Sequence, residues 1–374
     1  MLKLITIFNI LGDYMTQVFN FSAGPATMPK DVLLQAQTEL LNWKNQNTSV
    51  MEVSHRGIPF MELVKQAEID LRNLYSIPDN YKIMFLQGGA RGQFAAIPMN
   101  LANKKGKALY LTSGHWSKTA ADEARLFCDV NEINILSDNE PLSISNLDFT
   151  EQAENYDYVH YCPNETISGL EIFDIPNVGN TTLIADMSST ILSRKIDINK
   201  FGMIYAGAQK NLGPSGVTIV IIREDLLNQA RLATPSIWNY SIQVAKDSMI
   251  NTPPTFAWYI CALVFKYWLQ RGGLNFIEEH NKVKAQLLYK CIDQSKLFKN
   301  NICPQNRSLM NITFTTGNSD LDTKFIQEAN NIGLLALKGH KVLGGMRASI
   351  YNAMPLEGVK KLITFIEEFD QKNS

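Results

Sequence analysis

Short strand-like runs recur through the first two thirds of the chain: Tyr81–Leu86, Lys107–Thr112, Asp129–Ile135, Tyr156–Tyr161, Thr181–Asp186 and Gly216–Arg223. Helical patterns precede them, as in Val32–Lys44 and Pro59–Tyr75, or fall between several of them, as from Gln93 onward. Strands that alternate with helices predict a mainly parallel sheet covered on both faces. An open sheet of that kind binds its ligands beyond the carboxyl ends of the strands. The segments that follow those ends are therefore where chemistry is expected.

Two of these ends carry opposite charges. Thr181–Asp186 closes on a carboxylate, and Lys210 lies in Tyr205–Pro214, between a strand-like run and a glycine-proline break. A lysine amine on a short turn, with an aspartate leaving a neighbouring strand, is what pyridoxal phosphate (PLP) requires. The amine condenses with the aldehyde, and the carboxylate keeps the ring nitrogen protonated so that the ring accepts electrons. A solvated loop lysine is the alternative for Lys210 taken alone.

Other strand ends converge on the same place. Gly88–Gln93 lacks a Walker ending and the G-x-G-x-x-G register. It reads either as a helix N-terminus whose free N–H groups hold a phosphate or as a plain tight turn. Ser113–Ser117 places Trp116 at a loop, to stack on a ring or to pack in the core. Thr166, in Cys162–Gly169, offers a hydroxyl to the ring oxygen or caps a turn. Arg56 in Val53–Gly57 and Arg347 in Gly344–Ser349 carry planar forks suited to carboxylate or phosphate, or to surface ion pairs. His55 and His340 lie beside them in sequence.

Composition narrows the class. The chain has 374 residues, 45% hydrophobic, with a net charge of −1, enough for about two domains. Such a balance, without a block of Lys/Arg, argues against nucleic-acid or membrane-surface partners. Five cysteines without a CxxC pair suit reduced thiols in the cytoplasm better than disulfides or a zinc site, and no metal is expected. Apolar runs stay short of a membrane span. Met15 begins a plausible shorter protein, so residues 1–14 are expected to be an extension outside the fold.

Beyond Gly272-Gly273 the pattern changes to a long helix (Leu274–Asp293), strands near Met310–Phe314 and Met346–Ile350, and a terminal helix (Leu356–Gln371). A small α+β unit is the expectation there.

Long segments resemble the phosphoserine aminotransferase family, class V members of the fold-type I PLP enzymes. They are Phe19–Pro25, Met51–Gly57, Gly88–Phe94, His160–Thr166, Ala206–Asn211, Asn251–Thr255 and Lys338–Ser349. The resemblance implies an α/β, aspartate aminotransferase-like fold. Residues 30–272 would form a large PLP-binding domain around a seven-stranded, mainly parallel sheet. Residues 15–29 and 273–374 would form the smaller domain. It also implies roles: Lys210 as the lysine that holds the cofactor, Asp186 as partner of the ring nitrogen, Trp116 as the stacking ring and Thr166 near the ring oxygen. Ala90, Arg91 and Gln209 would hold the phosphate, joined by Asn251 and Thr252 from the partner of a homodimer with shared active sites. Arg347 would clamp the α-carboxylate, and His55 and Arg56, again from the partner, the distal anion, with His340 nearby.

The implied reaction is reversible amino transfer between L-glutamate and 3-phosphohydroxypyruvate, a phosphorylated 2-oxo acid, in serine biosynthesis. A four-carbon analogue in pyridoxine biosynthesis is a second implied substrate. Two other readings share these residues. One is another class V enzyme, a different transaminase or a cysteine desulfurase, for which Cys303 is the loop-like nucleophile without a supporting motif. The other is a PLP-binding protein without turnover.

Overall fold

A computed structural model describes residues 17–137 and 140–374, so the expected extension at 1–14 lies outside the described residues. In chain order the strands are β1 (Phe19–Asn20), β2 (Tyr81–Leu86), β3 (Lys107–Thr112), β4 (Asp129–Asn134), β5 (Tyr158–Tyr161), β6 (Asn164–Glu165) and β7 (Leu170–Glu171). They continue with β8 (Thr182–Asp186), β9 (Met203–Gly207), β10 (Thr218–Arg223), β11 (Asn311–Phe314), β12 (Leu334–Leu335) and β13 (Met346–Ser349). Seven of them form one sheet in the order β2-β10-β9-β8-β5-β3-β4. The pairs from β9 to β4 are parallel, and β10 alone runs against its neighbours. This is the mainly parallel seven-stranded α/β sheet the sequence led us to expect.

The run Thr218–Arg223 shows why such strands read as continuously apolar. Ile219 and Ile221 pack on one face with the helices Ile58–Tyr75 and Thr255–Gln270. Val220 and Ile222 pack on the other face with Phe94, Ile97 and Ala121. A strand buried on both faces has no polar side to show.

A third cluster gathers Phe19 and Phe21 with Leu288, Ile312, Phe325, Met346, Phe365 and Phe369. Here β11 and β13 pair antiparallel, while β1 joins β12 in parallel. The helix Gly273–Gln294 joins this cluster to the large one, for Ile277 packs in the latter and Leu288 in the former. From β1 the chain passes directly to Ala23 and Gly24 in the wall of the main cavity.

Two local expectations change, and one open alternative is decided. A helix expected from Val32 to Lys44 stops at Glu39, because Trp43 is drawn inward to 2% exposure and its N–H closes onto Thr48 O at 2.9 Å. Lys44 then takes a left-handed φ of 50°. Of the two readings open for Gly88–Gln93, the helix N-terminus holds, since the glycines after β2 form the first turn of the helix Gly89–Leu101. Trp116 lies in the first turn of the helix His115–Ala124 rather than in a loop. In the latter two cases a strand runs straight into a helix, so the apparent loop is a helix N-terminus.

Phe325 is fully buried, with the rings of Phe298, Phe314, Phe365 and Phe369 centred 4.8–5.8 Å away. Phe325→Ala is expected to cost about 3–5 kcal/mol of stability, read as a lower denaturant midpoint with an unchanged slope.

Candidate active site

A cavity of about 430 Å³ opens where β2, β3, β5, β8 and β9 end, and Lys210, Asp186, Trp116, Thr166, Ala90, Arg91, Gln209, His340 and Arg347 line it. The carboxyl ends of parallel strands thus deliver the expected residues from distant stretches of sequence to one place. Lys210 follows β9, Asp186 ends β8, Trp116 follows β3 and Thr166 follows β6.

Asp186 is 7% exposed. Oδ1 accepts the Ser188 N–H at 2.9 Å and the Ser188 hydroxyl at 2.6 Å. Burial raises its pKa, while the Ser188 donors and the Lys210 charge pull it down. The Ser188 hydroxyl also accepts the Gly207 N–H at 3.1 Å, which ties the β8 end to the β9 end. Lys210 Nζ donates to the Thr166 hydroxyl at 2.8 Å. Burial lowers the amine's pKa to about 8, opposed by the negative charge of Asp186.

Glu165, which the sequence reading did not single out, fixes Trp116. Its buried carboxylate accepts the backbone N–H groups of Trp116 (2.9 Å) and Ser117 (2.8 Å) and the Ser117 hydroxyl (2.7 Å). A carboxylate at a helix N-terminus meets unpaired N–H groups and the positive end of the dipole. Gly114 makes room for it, since a Cβ there would lie 2.6 Å from Glu165 Cδ. One short hairpin therefore sets both Thr166 against the lysine and Trp116 over the cavity. The signal in the sequence was present: an acid directly before Thr166 in a segment otherwise apolar or neutral.

The cavity is built for an anion. Gly88 and Gly89 take φ of 92° and 65°, so the helix Gly89–Leu101 turns its N-terminal N–H groups toward the cavity, and nothing stands within 4 Å of a Cβ added at Gly89. Arg347 is partly buried and, among the described residues, has no carboxylate partner. One Nη donates to Thr166 O at 3.3 Å, and the buried Nε has no partner. Burial lowers the pKa of this guanidinium. Burial also lowers the His340 pKa, with Arg347 and His115 adding to the effect.

These features fit PLP. The backbone N–H groups of the helix suit its phosphate, the buried Asp186 carboxylate suits a protonated ring nitrogen, and the amine of Lys210 suits its aldehyde. Among the described residues no group of His, Cys, Asp and Glu could hold a metal ion.

Four expected residues lie elsewhere. Arg56, Asn251 and Thr252 are exposed, and His55 is partly buried with an unpartnered Nε2. Arg56 lines a separate cavity of about 500 Å³ with Ile58 and Met61. Asn251 and Thr252 reach only the Gln87 amide, at 3.4 Å, beside the glycine turn. They are the same four residues that the family resemblance assigned to a partner subunit.

Comparison with known proteins agrees with this arrangement. The aminotransferase class-V family model matches residues 18–362. Phosphoserine aminotransferases of Histophilus somni and Pasteurella multocida are 69% and 67% identical over 96% of this chain and 100% of each relative. The solved structure of phosphoserine aminotransferase from Bacillus circulans subsp. alkalophilus superposes with a TM-score of 0.91 at 39% identity, covering 96% of this chain and 100% of that one. The PLP-bound phosphoserine aminotransferase from Trichomonas vaginalis gives 0.86 at 40%, covering 94% and 100%.

The neutral amine is the form that attacks an aldehyde. Uptake of PLP by the apoprotein, followed by its visible band, should therefore accelerate with pH and level off above about 8. An inflection near the ordinary 10.5 would show an unperturbed Lys210. The same shift has a sign in stability. Between about pH 8 and 10.5 the unfolded chain holds the proton that the folded chain has released, so this residue's contribution to apoprotein stability rises with pH there.

Proposed function

This chain belongs to the class-V aminotransferase family, and we propose that it transfers an amino group reversibly between L-glutamate and 3-phosphohydroxypyruvate, giving 2-oxoglutarate and O-phospho-L-serine. The observation that carries the reading is the meeting of Lys210, Asp186 and the unpaired Arg347 in one cavity, in a chain 69% identical to a phosphoserine aminotransferase along that relative's whole length.

PLP, when bound, supplies an aldehyde that carries the amino group and a ring that accepts the electron pair left by the departing α-proton. Asp186 holds the proton on the ring nitrogen. Lys210 would hold the cofactor's aldehyde and, when free, would move the α-proton as general base and acid, a task suited to an amine with a pKa of about 8. Trp116, fixed by Glu165, would cover the ring. Ala90, Arg91 and Gln209 would hold the phosphate, and Thr166 would face the ring oxygen.

Arg347 pairs with the α-carboxylate common to every substrate. The distal group is a carboxylate in one half-reaction and a phosphate in the other. His55 and Arg56 of a partner subunit serve both, with His340 at the rim, and Asn251 and Thr252 complete the phosphate site from the same side. A homodimer is supported by the exposed apolar side chains close to Arg56 in sequence, Met51 at 54% and Ile58 at 76%, since such surface marks an interface.

Two units serve this site: residues 30–272 bearing the large sheet, and residues 15–29 with 273–374 bearing Arg347 and His340. A cytoplasmic place suits five unpaired cysteines, and among the described residues no helix is long and apolar enough to cross a membrane.

Two measurements test the reading. In a coupled assay with glutamate and phosphohydroxypyruvate, wild-type protein should turn over, and Lys210→Ala should lose at least about 10²–10⁴-fold in kcat, the contribution of acid–base catalysis alone. Turnover of Lys210→Ala at the wild-type rate would remove Lys210 from the mechanism. For the shared site, inactive Lys210→Ala and inactive Arg56→Ala subunits should recover activity on mixing, because each hybrid dimer holds one intact site. An active monomer, or no recovery after demonstrated subunit exchange, overturns the shared arrangement.

A further inference from the structure

Lys284 is fully buried in the middle of the helix Gly273–Gln294, and among the described residues it forms no ion pair. Its ammonium instead donates to backbone carbonyls of one turn: Tyr351 at 2.7 Å, Ile350 at 2.8 Å and Met354 at 3.1 Å, with Asn352 at 3.4 Å. A buried ammonium without a counter-charge is costly unless its donors are satisfied. Burial pulls the amine's pKa well down, and three close carbonyls, which can only accept, oppose that by favouring the protonated form with its three N–H bonds. The gripped turn follows β13, the strand that carries Arg347.

The turn is also bound to the other side of the cavity. Asn352 N–H donates to Asn211 Oδ1 at 3.0 Å, and Asn211 directly follows Lys210. Three asparagine amides then meet three successive carbonyls beyond β8: Asn211 on Ile191 (3.1 Å), Asn352 on Leu192 (3.0 Å) and Asn281 on Ser193 (3.0 Å). Asn281 also donates to Asn352 Oδ1 at 2.8 Å, and it lies one turn before Lys284 on the same helix face. Leu192 holds a left-handed φ of 56°, a conformation a branched residue keeps only where its surroundings impose it. Finally, the Tyr351 hydroxyl donates to Ala23 O at 2.8 Å, beside Gly24 in the cavity wall.

We propose that Lys284 and Asn352 are positioning residues that set the carboxylate-binding Arg347 against the lysine-bearing turn at Lys210. The inference rests on the aminotransferase reading of the site and deepens it. Neither residue touches the cavity. The ammonium fixes the turn behind Arg347, and Asn352 locks that turn to Asn211 and to the chain beyond Asp186. Slack at this junction moves the guanidinium away from the substrate carboxylate, while Lys210, still held by Thr166, keeps its chemistry.

The experiment compares the wild-type holoenzyme with Lys284→Met, which keeps length and loses every donor, and with Asn352→Ala, which keeps Lys284 and the backbone N–H to Asn211 but loses the side-chain bonds to Leu192 and Asn281. Rates are normalised to bound cofactor from the visible band. Affinity for glutarate, a dicarboxylate without an amino group, is read from its effect on that band. Both variants should raise KM for glutamate and for phosphohydroxypyruvate about tenfold, weaken glutarate equally, and hold kcat within about threefold, since one charge-assisted contact is misplaced and none of the proton-moving groups. A lower melting temperature with wild-type KM and glutarate affinity at each loaded site would make the network purely architectural and overturn the proposal. Should Lys284→Met fail to fold, Asn352→Ala decides by the same two readings. A wild-type protein without transaminase activity would instead sink the functional reading, a result distinct from an active enzyme whose KM ignores both substitutions.

Discussion

The whole site depends on keeping an amine and a carboxylate out of water at the ends of adjacent strands. Burial works against both charges, lowering the pKa of Lys210 and raising that of Asp186. Each is held by the other's field and by short hydrogen bonds, from Lys210 to Thr166 and from Ser188 to Asp186. Parallel strands make this possible because their carboxyl ends, reached by separate crossovers, can place side chains far apart in sequence within one cavity. The antiparallel β10 then returns the chain from the Lys210 turn into the sheet, which leaves that turn pinned at both ends.

Anion recognition follows from the same frame. Two helices begin within a few residues of a strand end, at Gly89 and at His115, and each offers unpaired N–H groups at its start. One start faces the cavity and is left free for a phosphate. The other is capped by Glu165, so its job is to hold Trp116. Arg347, with a buried Nε lacking a partner, supplies the fixed positive charge from the opposite wall.

Segments expected to matter at the site but absent from the cavity are informative in their own right. His55, Arg56, Asn251 and Thr252 sit on surface that one subunit leaves open, next to exposed Met51 and Ile58. The Lys284 network, by contrast, is buried and ties the turn that follows the Arg347 strand to the Lys210 turn through Asn352 and Asn211.

Much of this was legible in the order of residues. Runs such as Thr218–Arg223 are apolar on both faces because helices cover both sides of the sheet, and periodicity reports that directly. Lys210, Asp186, Thr166 and Arg347 stood out because each follows or lies on a strand-like run beside a glycine, proline or charged break. Helix ends were less legible. Trp43 leaves its helical pattern for a core contact made across the fold, and local spacing carries no record of that. Glu165 showed only as an acid beside Thr166, without its role, and Lys284 did not show at all, for a related reason. Their partners lie 48 and more residues away and are mostly backbone groups, and a carbonyl or an N–H has no letter in the sequence. The sequence by itself determined the strand order of chemistry, which residue types stand at which strand ends, and hence the class of reaction. Only the tertiary structure decided which of those residues share a cavity and which wait on the surface, because that depends on packing distances and on backbone dipoles that side-chain identity does not encode.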